Sequence, residues 1–313
     1  MNNTRTIGIV GTGMIASSMA VLAAGHGFKV VILARSEKSV NRCLGEIGRF
    51  FEEIVSHGYF TEEKKNTSLE RISFTYDYKD MKDAEAVVES VVEDLEVKYE
   101  VFRQIEDNCP SVKAICSVSS SIVPDKLSEG ASKYGDRIVV THPFNPPHLV
   151  PLFEVCASGN TADGVTDYVM TLLEELDRKP VLLNRPTPGF IGNRLQFALW
   201  REALALVDEG ICGPREVDAV LAYSFCPRYT SIGIFEHFDN GGLELNATGC
   251  RNIWPVLSTA TEIPPFFADL MKEGKMGPKS PSKTGFYDWN GVDMEAYASR
   301  VSAPYWNMFD WKE

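Results

Sequence analysis

Residues 6–16 read TIGIVGTGMIA, and this stretch decides the fold. Its first five residues form an apolar run typical of a buried strand, and Gly11 and Gly13 follow directly. An apolar stretch of helical length then continues to the GHG stop at 25–27, and a second apolar run fills 29–34. A strand, a glycine turn, a helix and a strand within about 30 residues form the unit that binds a dinucleotide, because the glycines let the pyrophosphate approach the helix N-terminus.

The end of the second strand predicts which dinucleotide binds. An NAD site usually has a carboxylate there to hold the ribose 2′-hydroxyl, whereas this chain has Ala34, followed by Arg35 and Ser36. Arg35 and Ser36 can both bind a 2′-phosphate, so we expect NADP(H) to be favoured over NAD(H). The alternative is that Arg35 stacks on adenine and NAD still binds. The predicted contacts on the glycine turn are Gly11, Thr12, Gly13, Met14 and Ile15.

Composition indicates a globular enzyme rather than a nucleic-acid or membrane protein. The 313 residues are enough for two domains, and the net charge of −12 argues against a nucleic-acid groove or a polybasic membrane surface. No apolar run reaches the ~18 residues of a membrane span. The chain enters its first strand too early for a signal peptide, so we expect a cytoplasmic protein. The seven cysteines form no CxxC pair, which favours reduced thiols over disulfides or a metal site.

Strand and helix patterns alternate in the first part of the chain and give way to helices in the second. Residues 39–66 have a helical pattern that predicts a helical hairpin inserted after the second strand. Further strands are predicted at 71–74, 86–89, 114–117, 138–141 and 180–183, and further helices at 95–108 and 163–176. A long helix is expected to open at Thr187, because Pro188 suits a first helical turn. The predicted fold is therefore an α/β Rossmann-type domain with an inserted helical hairpin over 1–185, followed by an all-α domain over 186–313.

His142 ends an apolar strand, and the prolines and asparagine of 143–147 then fix a loop. Glu154 follows on the next apolar stretch. A buried imidazole that takes and returns a proton needs an acceptor on its second nitrogen to fix its tautomer, and Glu154 can supply that acceptor. The alternative is a core histidine beside a surface glutamate, and these two residues alone do not decide between the two.

Polar side chains follow several of the predicted strands. Glu93 and Lys98 come after one strand, a serine run at 117–121 ends the next, and Asn145 comes after His142. Open α/β sheets bind ligands outside the carboxyl ends of their strands, so these residues are candidates for the binding site. A serine run is more commonly a flexible loop or a helix cap, and it is the position at a strand end that favours a functional role here.

Six segments follow one another along the chain: GTGM at 11–14, VESVVEDL at 88–95, SVSSS at 117–121, HPFNP at 142–146, TPGFIGNR at 187–194 and GFYDW at 285–289. In the order and spacing of these segments, the chain resembles the 3-hydroxyacyl-CoA dehydrogenase family along nearly its whole length. The resemblance implies an NAD(P) domain followed by an all-helical domain that completes the active site and forms a homodimer.

The resemblance also implies roles for individual residues. It places the catalytic histidine at His142, its partner glutamate at Glu154, a serine that contacts the substrate oxygen at Ser120, and an asparagine near the reacting centre at Asn193. It places Glu93, Lys98 and Asn145 along the cofactor or at its nicotinamide end. The implied chemistry is reversible: the histidine removes a proton from a secondary alcohol while hydride passes to the nicotinamide. Alternatives remain open, with Ser120 as a helix cap and Asn193 as a packing residue.

Three positions depart from the family pattern. Ala16 occupies the third glycine position of the dinucleotide turn, and Ala34 replaces the ribose-binding acid. Val118 replaces the asparagine that is common in the serine segment, which changes the expected polarity of the nicotinamide pocket. The cofactor therefore enters the prediction as NAD(P), with the preference resting on residues 34–36.

The segment FCPRYT at 225–230 is similar to the λ-crystallin/gulonate dehydrogenase and carnitine dehydrogenase branches. The resemblance to these branches implies a small hydroxy acid without coenzyme A. Arg228 can then bind a substrate carboxylate through two hydrogen bonds. The alternative is an arginine stacked on Tyr229 or paired with Glu236 or Asp239.

The prediction is thus an NAD(P)-dependent oxidoreductase that interconverts a 3-hydroxy acid, or a 3-hydroxyacyl thioester, and its 3-keto form. One alternative is a 3-hydroxyacyl-CoA dehydrogenase of fatty-acid or butyrate metabolism, and another is a dinucleotide-binding scaffold without activity. The basic residues of the hairpin neither establish nor exclude a coenzyme A pocket: Lys38, Arg42, Arg49, Lys64 and Lys65. The aromatic residues near the C-terminus are expected to pack on their own domain or on a dimer partner: Tyr297, Tyr305, Trp306, Phe309 and Trp311.

Overall fold

The structure is a computed structural model that describes residues 5–308. These residues form two compact units. Unit 1 contains the residues up to Ile191 together with those from Ala298 onward, and unit 2 is Gly192–Tyr297. The expected division of the chain at 185/186 remains a prediction.

Unit 1 is built on a sheet of eight strands within the described residues. The strands are β1 (Thr6–Val10), β2 (Lys29–Leu33), β3 (Ile72–Thr75), β4 (Ala84–Glu89), β5 (Ala114–Ser117), β6 (Ile138–Pro143), β7 (Leu152–Ala157) and β8 (Lys179–Leu182). Their order is β3-β2-β1-β4-β5-β6-β7-β8, and all neighbours are parallel except β6 and β7. The first six strands have the doubly wound order of dinucleotide-binding domains, which confirms the predicted Rossmann-type fold.

The helices of unit 1 follow the strands in alternation. They are α1 (Met14–Gly25), α2 (Glu37–Ser56), α3 (Glu62–Leu69), α4 (Leu95–Asn108), α5 (Pro124–Ser128) and α6 (Val165–Glu175). Helices α2 and α3 form the inserted hairpin between β2 and β3. Each begins at a side-chain cap: the Ser36 hydroxyl accepts a hydrogen bond from the Ser39 N–H at 3.3 Å, and the Thr61 hydroxyl accepts one from the Lys64 N–H at 3.1 Å.

Unit 2 is helical, as predicted. Its helices are α7 (Gly192–Asp208), α8 (Pro214–Tyr223), α9 (Ile234–Gly241), α10 (Leu243–Ile253) and α11 (Pro265–Lys272), and α12 (Met294–Trp306) begins in this unit and ends in unit 1. Among residues 192–297, Ser280 alone is buried, and many large apolar side chains remain exposed. No helix in the described chain is both long enough and apolar enough to cross a bilayer.

The long helix α7 begins five residues later than the sequence predicted. Instead of opening at Thr187, the helix begins at Gly192, because two residues before it have left-handed backbone angles: Gly189 has φ 76° and Phe190 has φ 47°. The Phe190 N–H closes a turn on the Thr187 carbonyl at 3.1 Å. Phe190 is buried, and a bulky side chain at positive φ is rare enough to identify this turn as a special feature of the chain.

The C-terminal aromatic residues divide between the two units. Trp306 is buried in unit 1, where its ring stacks on His57 at 4.1 Å between centroids and its carbonyl accepts a hydrogen bond from the Tyr59 hydroxyl. Tyr305 packs against the same core, whereas Tyr297 lies in unit 2 against Trp289. The end of α12 therefore packs on the helical hairpin of its own chain. Phe309 and Trp311 lie outside the described residues.

Candidate active site

The glycine turn between β1 and α1 has the backbone and the open space that a pyrophosphate needs. Gly11 has φ 122°, and a Cβ atom there would lie 2.6 Å from the Ser90 carbonyl oxygen, so only glycine fits. Gly13 is the N-cap of α1, no side chain caps the helix, and no heavy atom lies within 4 Å of the position a Cβ would take. The first turn of α1, at Met14 and Ile15, contains no acidic residue. The turn therefore fits an anionic group held by backbone N–H donors.

Arg35 and Ser36 are exposed directly after β2, and Ala34 is buried. The Ser36 hydroxyl is the N-cap of α2, so this side chain has a structural role in addition to any contact with a phosphate. Arg42 of α2 donates a hydrogen bond from Nη2 to the Thr12 carbonyl at 3.1 Å, which places a guanidinium group at the glycine turn. The sequence analysis grouped Arg42 with possible coenzyme A contacts. Its contact with the turn depends on how α1 packs against α2, which no local pattern encodes.

A buried ion pair lies behind the serine segment that follows β5. Lys98 and Glu89 are both fully buried, and the Lys98 Nζ donates to the two carboxylate oxygens of Glu89 at 2.8 and 2.9 Å. The Ser117 hydroxyl also donates to Glu89, at 2.6 Å. Lys98 contacts Glu93 as well, at 3.3 Å. Lys98 thus holds two carboxylates from inside the protein and has no exposed surface to line a cofactor groove.

Glu93 organises the serine segment. Its Oε1 accepts hydrogen bonds from the Ser119 hydroxyl at 2.5 Å, from the Ser120 N–H at 3.1 Å, and from the Ser121 N–H and hydroxyl at 3.0 and 2.9 Å. Partial burial raises the pKa of Glu93, but the Ser119 hydrogen bond, the charge of Lys98 and the Ser121 hydrogen bonds outweigh it and lower the pKa to about 2. The carboxylate is therefore ionised at neutral pH and fixes a loop on which Ser120 is exposed.

His142 and Glu154 face each other across the antiparallel pair β6–β7, where they are direct register partners. The His142 Nδ1 lies 2.9 Å from the Glu154 Oε2, and both side chains are buried. An ionised carboxylate only accepts hydrogen bonds, so the tautomer that suits this contact has its proton on Nδ1 and a lone pair on Nε2. The structure thus brings together the two residues that the sequence analysis paired as base and partner.

The segment before α7 completes the surroundings of this pair. The second Glu154 oxygen, Oε1, accepts a hydrogen bond from the Ile191 N–H at 2.7 Å. The His142 ring lies between Phe144 and Phe190, each with a centroid distance of 5.3 Å. The turn at Gly189 and Phe190 therefore places the Phe190 ring beside the His142 imidazole and the Ile191 N–H on the Glu154 carboxylate. The sequence analysis did not predict this role.

The other predicted residues lie at two places. Asn145 is exposed on the loop after β6 in unit 1, and Asn193 is partly buried in the first turn of α7 in unit 2. Asn193 follows two residues after Ile191, whose N–H donates to Glu154.

Arg228 is exposed in unit 2, and its partner is a histidine. Its Nη1 donates to the His237 Nε2 at 3.1 Å, which requires that nitrogen to be unprotonated. Glu236, one of the alternative partners considered from the sequence, instead caps α9 by accepting the Gly233 N–H at 2.6 Å. The guanidinium is exposed, so its other N–H groups can donate hydrogen bonds to an anionic ligand.

No group of three or more histidine, cysteine or acidic side chains is arranged to hold a metal ion in the part of the chain that the structure describes. The seven cysteines are free thiols, and four of them are buried. The described residues therefore offer organic acid–base groups and backbone donors for chemistry.

Two family models match successive parts of the chain. The 3-hydroxyacyl-CoA dehydrogenase NAD binding domain matches residues 6–186. The 3-hydroxyacyl-CoA dehydrogenase C-terminal domain matches residues 189–289. Together they cover the glycine turn, the His142–Glu154 pair and most of unit 2.

Individual relatives agree with the family models. An L-carnitine dehydrogenase of Oceanobacillus iheyensis is 30% identical over 86% of this chain and 87% of its own. A lambda-crystallin homolog of Bos taurus is 32% identical over 78% of this chain and 74% of its own. The crystal structure of 5-formyl-3-hydroxy-2-methylpyridine 4-carboxylic acid 5-dehydrogenase, described as an NAD+ dependent dismutase, superposes with a TM-score of 0.86 at 25% identity over 97% of each chain. The chain belongs to the 3-hydroxyacyl-CoA dehydrogenase family of oxidoreductases, enzymes with an NAD binding domain that act on CH–OH donors.

Proposed function

We propose that this enzyme interconverts a 3-hydroxy acid and its 3-keto form, with His142 as the general base and acid. The observation that supports the proposal most strongly is the buried contact of 2.9 Å between the His142 Nδ1 and Glu154, which leaves Nε2 to exchange a proton with substrate. A nicotinamide cofactor supplies the chemistry of hydride uptake and return when it is bound at the glycine turn. The chain supplies the proton transfer and the fixed geometry.

In the proposed mechanism, His142 Nε2 removes the hydroxyl proton and Glu154 stabilises the imidazolium ion that results. The Ile191 N–H keeps the carboxylate in place during this charge change. Ser120 and Asn193 are proposed to donate hydrogen bonds to the substrate oxygen, and Glu93 holds the segment from which Ser120 acts. If NADPH is the cellular partner, the same groups run in reverse, and His142 delivers a proton as the 3-keto form is reduced.

The proposed substrate is a free hydroxy acid rather than a coenzyme A thioester. Arg228 offers an exposed guanidinium to a carboxylate, and a similar protein is named an L-carnitine dehydrogenase. Most cations of the hairpin have partners within the protein. Lys65 pairs with Glu52 and Glu62, whereas Lys64 and Arg49 lie over aromatic rings. The alternative substrate, a 3-hydroxyacyl-CoA, would have to compete with these contacts.

The proposed cofactor preference is NADP(H), with Arg35 as the reader of the 2′-phosphate and Arg42 as a second cation at the glycine turn. The buried methyl group of Ala34 cannot bind a ribose hydroxyl. Fluorescence titration with NADPH and NADH at fixed ionic strength tests this preference. Arg35→Asp should weaken NADPH binding much more than NADH binding, and Lys38→Asp is the control for the same charge change nearby. Equal effects of Arg35→Asp on the two cofactors would contradict the assignment.

We further propose that unit 2 forms a homodimer. Aromatic and aliphatic side chains are exposed along its helices, including Phe197, Trp200, Tyr223, Phe235, Leu245 and Trp254. An apolar surface of this extent normally lies against another protein surface, and a second copy of the same chain presents a matching one. Sedimentation analysis of the full chain measures the oligomeric state.

The activity itself is tested with matched pairs of substrates. Wild-type enzyme and the His142→Gln variant are incubated with each oxidised cofactor and either a set of 3-hydroxy acids or their coenzyme A thioesters, and the absorbance of the reduced nicotinamide is followed. Turnover of the free acids supports the proposal. Turnover of the thioesters alone would favour the acyl-CoA alternative. Cofactor binding without turnover of any substrate would favour a scaffold without activity.

A further inference from the structure

In addition to the His142–Glu154 pair, unit 1 contains a second buried polar cluster, which the proposed mechanism does not use. It consists of Ser18, His148 and Arg178, which are 0%, 1% and 1% exposed. Ser18 belongs to α1, His148 to the loop between β6 and β7, and Arg178 to the turn before β8. Burying polar groups this completely costs free energy unless hydrogen bonds compensate for the lost contacts with water.

Ser18 binds both the backbone and the ring of His148. The Ser18 hydroxyl oxygen accepts the His148 backbone N–H at 2.7 Å, and it lies 2.8 Å from the ring Nδ1. A single side chain on α1 therefore fixes both the position of the loop backbone and the orientation of the imidazole. Its place in α1 is five residues after Gly13, the N-cap that faces the predicted pyrophosphate site.

Two further contacts hold His148 from other sides. The Arg178 Nη1 donates to the Pro147 and His148 carbonyl oxygens at 3.0 and 3.4 Å. The His148 ring packs on Phe50 of the hairpin, with 4.2 Å between centroids. His148 thus joins the loop to α1, to α2 and to the turn before β8.

His148 is neutral, and one of its nitrogens has no partner. Burial is the main cause, and together with the charges of Arg178 and Arg49 it lowers the pKa of His148 to about 3. The ring Nε2 is buried without a hydrogen-bond partner within the described residues. A phenylalanine would pack on Phe50 without that cost, so the Nδ1 contact with Ser18 is what the histidine adds.

The cluster connects the two ends of the cofactor site. The N-terminus of α1 is the place for the pyrophosphate, and the loop of His148 starts directly after β6, which ends next to His142. Hydride and proton would leave the same carbinol group, so a bound nicotinamide would be held near His142 and near this loop, where Asn145 is exposed. A contact that joins α1 to this loop therefore contributes to the distance between the pyrophosphate site and the reacting centre.

We propose that Ser18 and His148 are positioning residues that lock the loop of residues 144–150 onto α1 and so set where the nicotinamide end of the cofactor binds. This inference rests on the proposed dehydrogenase function. The contact acts on the nicotinamide half of the cofactor, whereas the adenosine and pyrophosphate half is held by the glycine turn itself.

The test measures the Kd of two ligands: the preferred reduced cofactor and the corresponding ADP-ribose, which lacks nicotinamide. If NADPH is the preferred cofactor, both ligands carry the 2′-phosphate. Three variants of the full-length enzyme separate the contacts. Ser18→Ala removes the hydroxyl, His148→Phe keeps the packing on Phe50 without the hydrogen bond, and His148→Asn places an oxygen near the position of Nδ1. Ser68→Ala is the control, since its buried hydroxyl binds only the Lys64 carbonyl in its own helix.

We expect Ser18→Ala and His148→Phe each to raise the Kd of the reduced cofactor about tenfold, the size of one buried hydrogen bond. The Kd of the nicotinamide-free ligand should stay within about twofold. The double variant should be no weaker than Ser18→Ala alone, because Ser18→Ala already removes the ring contact that His148→Phe removes. His148→Asn should recover most of the lost affinity, and Ser68→Ala should change neither Kd.

Equal weakening of both ligands, or unchanged cofactor affinity with only a lower Tm, would overturn the positioning role and leave the proposed function intact. Additive effects in the double variant would overturn it as well. A wild-type enzyme that binds neither ligand would overturn the proposed function and this inference with it.

Discussion

The proposed catalytic pair of unit 1 is buried, whereas the proposed recognition residue of unit 2 is exposed. In unit 1, His142 and Glu154 are buried register partners of one strand pair, and further contacts fix both. In unit 2, Arg228 and His237 meet on an exposed surface of helices that have almost no buried core of their own. The sheet holds the two groups proposed to take part in proton transfer within a narrow range of geometries. The helical unit carries the proposed recognition group Arg228 on an exposed surface, and the same unit is the one proposed to form a homodimer.

This comparison predicts that substitutions of the buried pair lower kcat far more than they weaken cofactor binding. His142→Gln removes the base and should lower kcat about 10³-fold, within the range for loss of a general acid–base group. The Kd of the reduced cofactor, measured by fluorescence titration, should change by less than about twofold. His26→Gln is the control, because His26 pairs with Asp177 outside the site. A kcat that falls less than about tenfold would assign His142 to the core rather than to catalysis.

Glu154→Gln isolates the charge of the partner. The amide is close in size to the carboxylate but cannot stabilise an imidazolium ion, and we expect kcat to fall about 10²-fold at saturating substrate. Because Glu154 also accepts the Ile191 N–H, circular dichroism of the variant has to show an intact fold before the rates are compared. A variant with an intact fold and wild-type kcat would mean that the carboxylate only orders the chain.

Much of unit 1 can be predicted from sequence because its elements follow local patterns. The apolar run before Gly11 becomes β1, and the predicted helix over 95–108 matches α4. The start of α7 was missed, because Phe190 adopts a positive φ that its side chain normally disfavours and that tertiary contacts with His142 compensate. At Phe190, the tertiary contacts around His142 outweigh the local backbone preference.

The candidate site was predictable where the partners lie on consecutive elements and not where they come from distant ones. His142 and Glu154 lie on consecutive strands, so their contact could be considered from the sequence, and the family resemblance implied it. The burial of Lys98 against Glu89 had a weak signal, a carboxylate inside an apolar strand. The contacts of Arg42 with Thr12 and of His148 with Ser18 join elements far apart in the chain, and only packing shows them.

Unit 2 should respond to changes at its exposed apolar surface, which unit 1 should tolerate. Trp254 is 68% exposed and lines a groove with Phe235 and Leu243. If this face covers a second copy, Trp254→Arg should weaken self-association about 30-fold, as expected for a central contact of about 2 kcal/mol. Sedimentation equilibrium measures the change, and Tyr76→Arg on unit 1 is the control. Unchanged association of the Trp254 variant would place the partner surface elsewhere.

Recognition by Arg228 should appear in KM rather than in kcat. Arg228→Met keeps much of the side-chain length and removes the charge and both proposed hydrogen bonds, so KM for a carboxylate substrate should rise at least about tenfold. Cofactor affinity should not change. Arg215→Met is the control within the same unit, since Arg215 lies over the Tyr287 ring. Unchanged KM would leave Arg228 with a structural role beside His237.

The smallest expected effect concerns the serine segment in acid. The folded-state pKa of Glu93 is about 2, below its ordinary value of 4.5, so its ionised form stabilises the fold fully above pH 4.5 and loses that contribution as the pH falls toward 2. Glu93→Gln lacks this charge. The difference in Tm between wild type and variant should therefore be largest near neutral pH and shrink across the window from pH 4.5 to 2. Glu209→Gln, at an exposed glutamate of unit 2, is the control for the substitution itself. The contrast between the units is here a contrast between a carboxylate that accepts four hydrogen bonds from the serine segment and one that faces solvent. A constant Tm difference for the Glu93 variant across this window would mean that size and packing, rather than its charge, order the loop on which Ser120 lies.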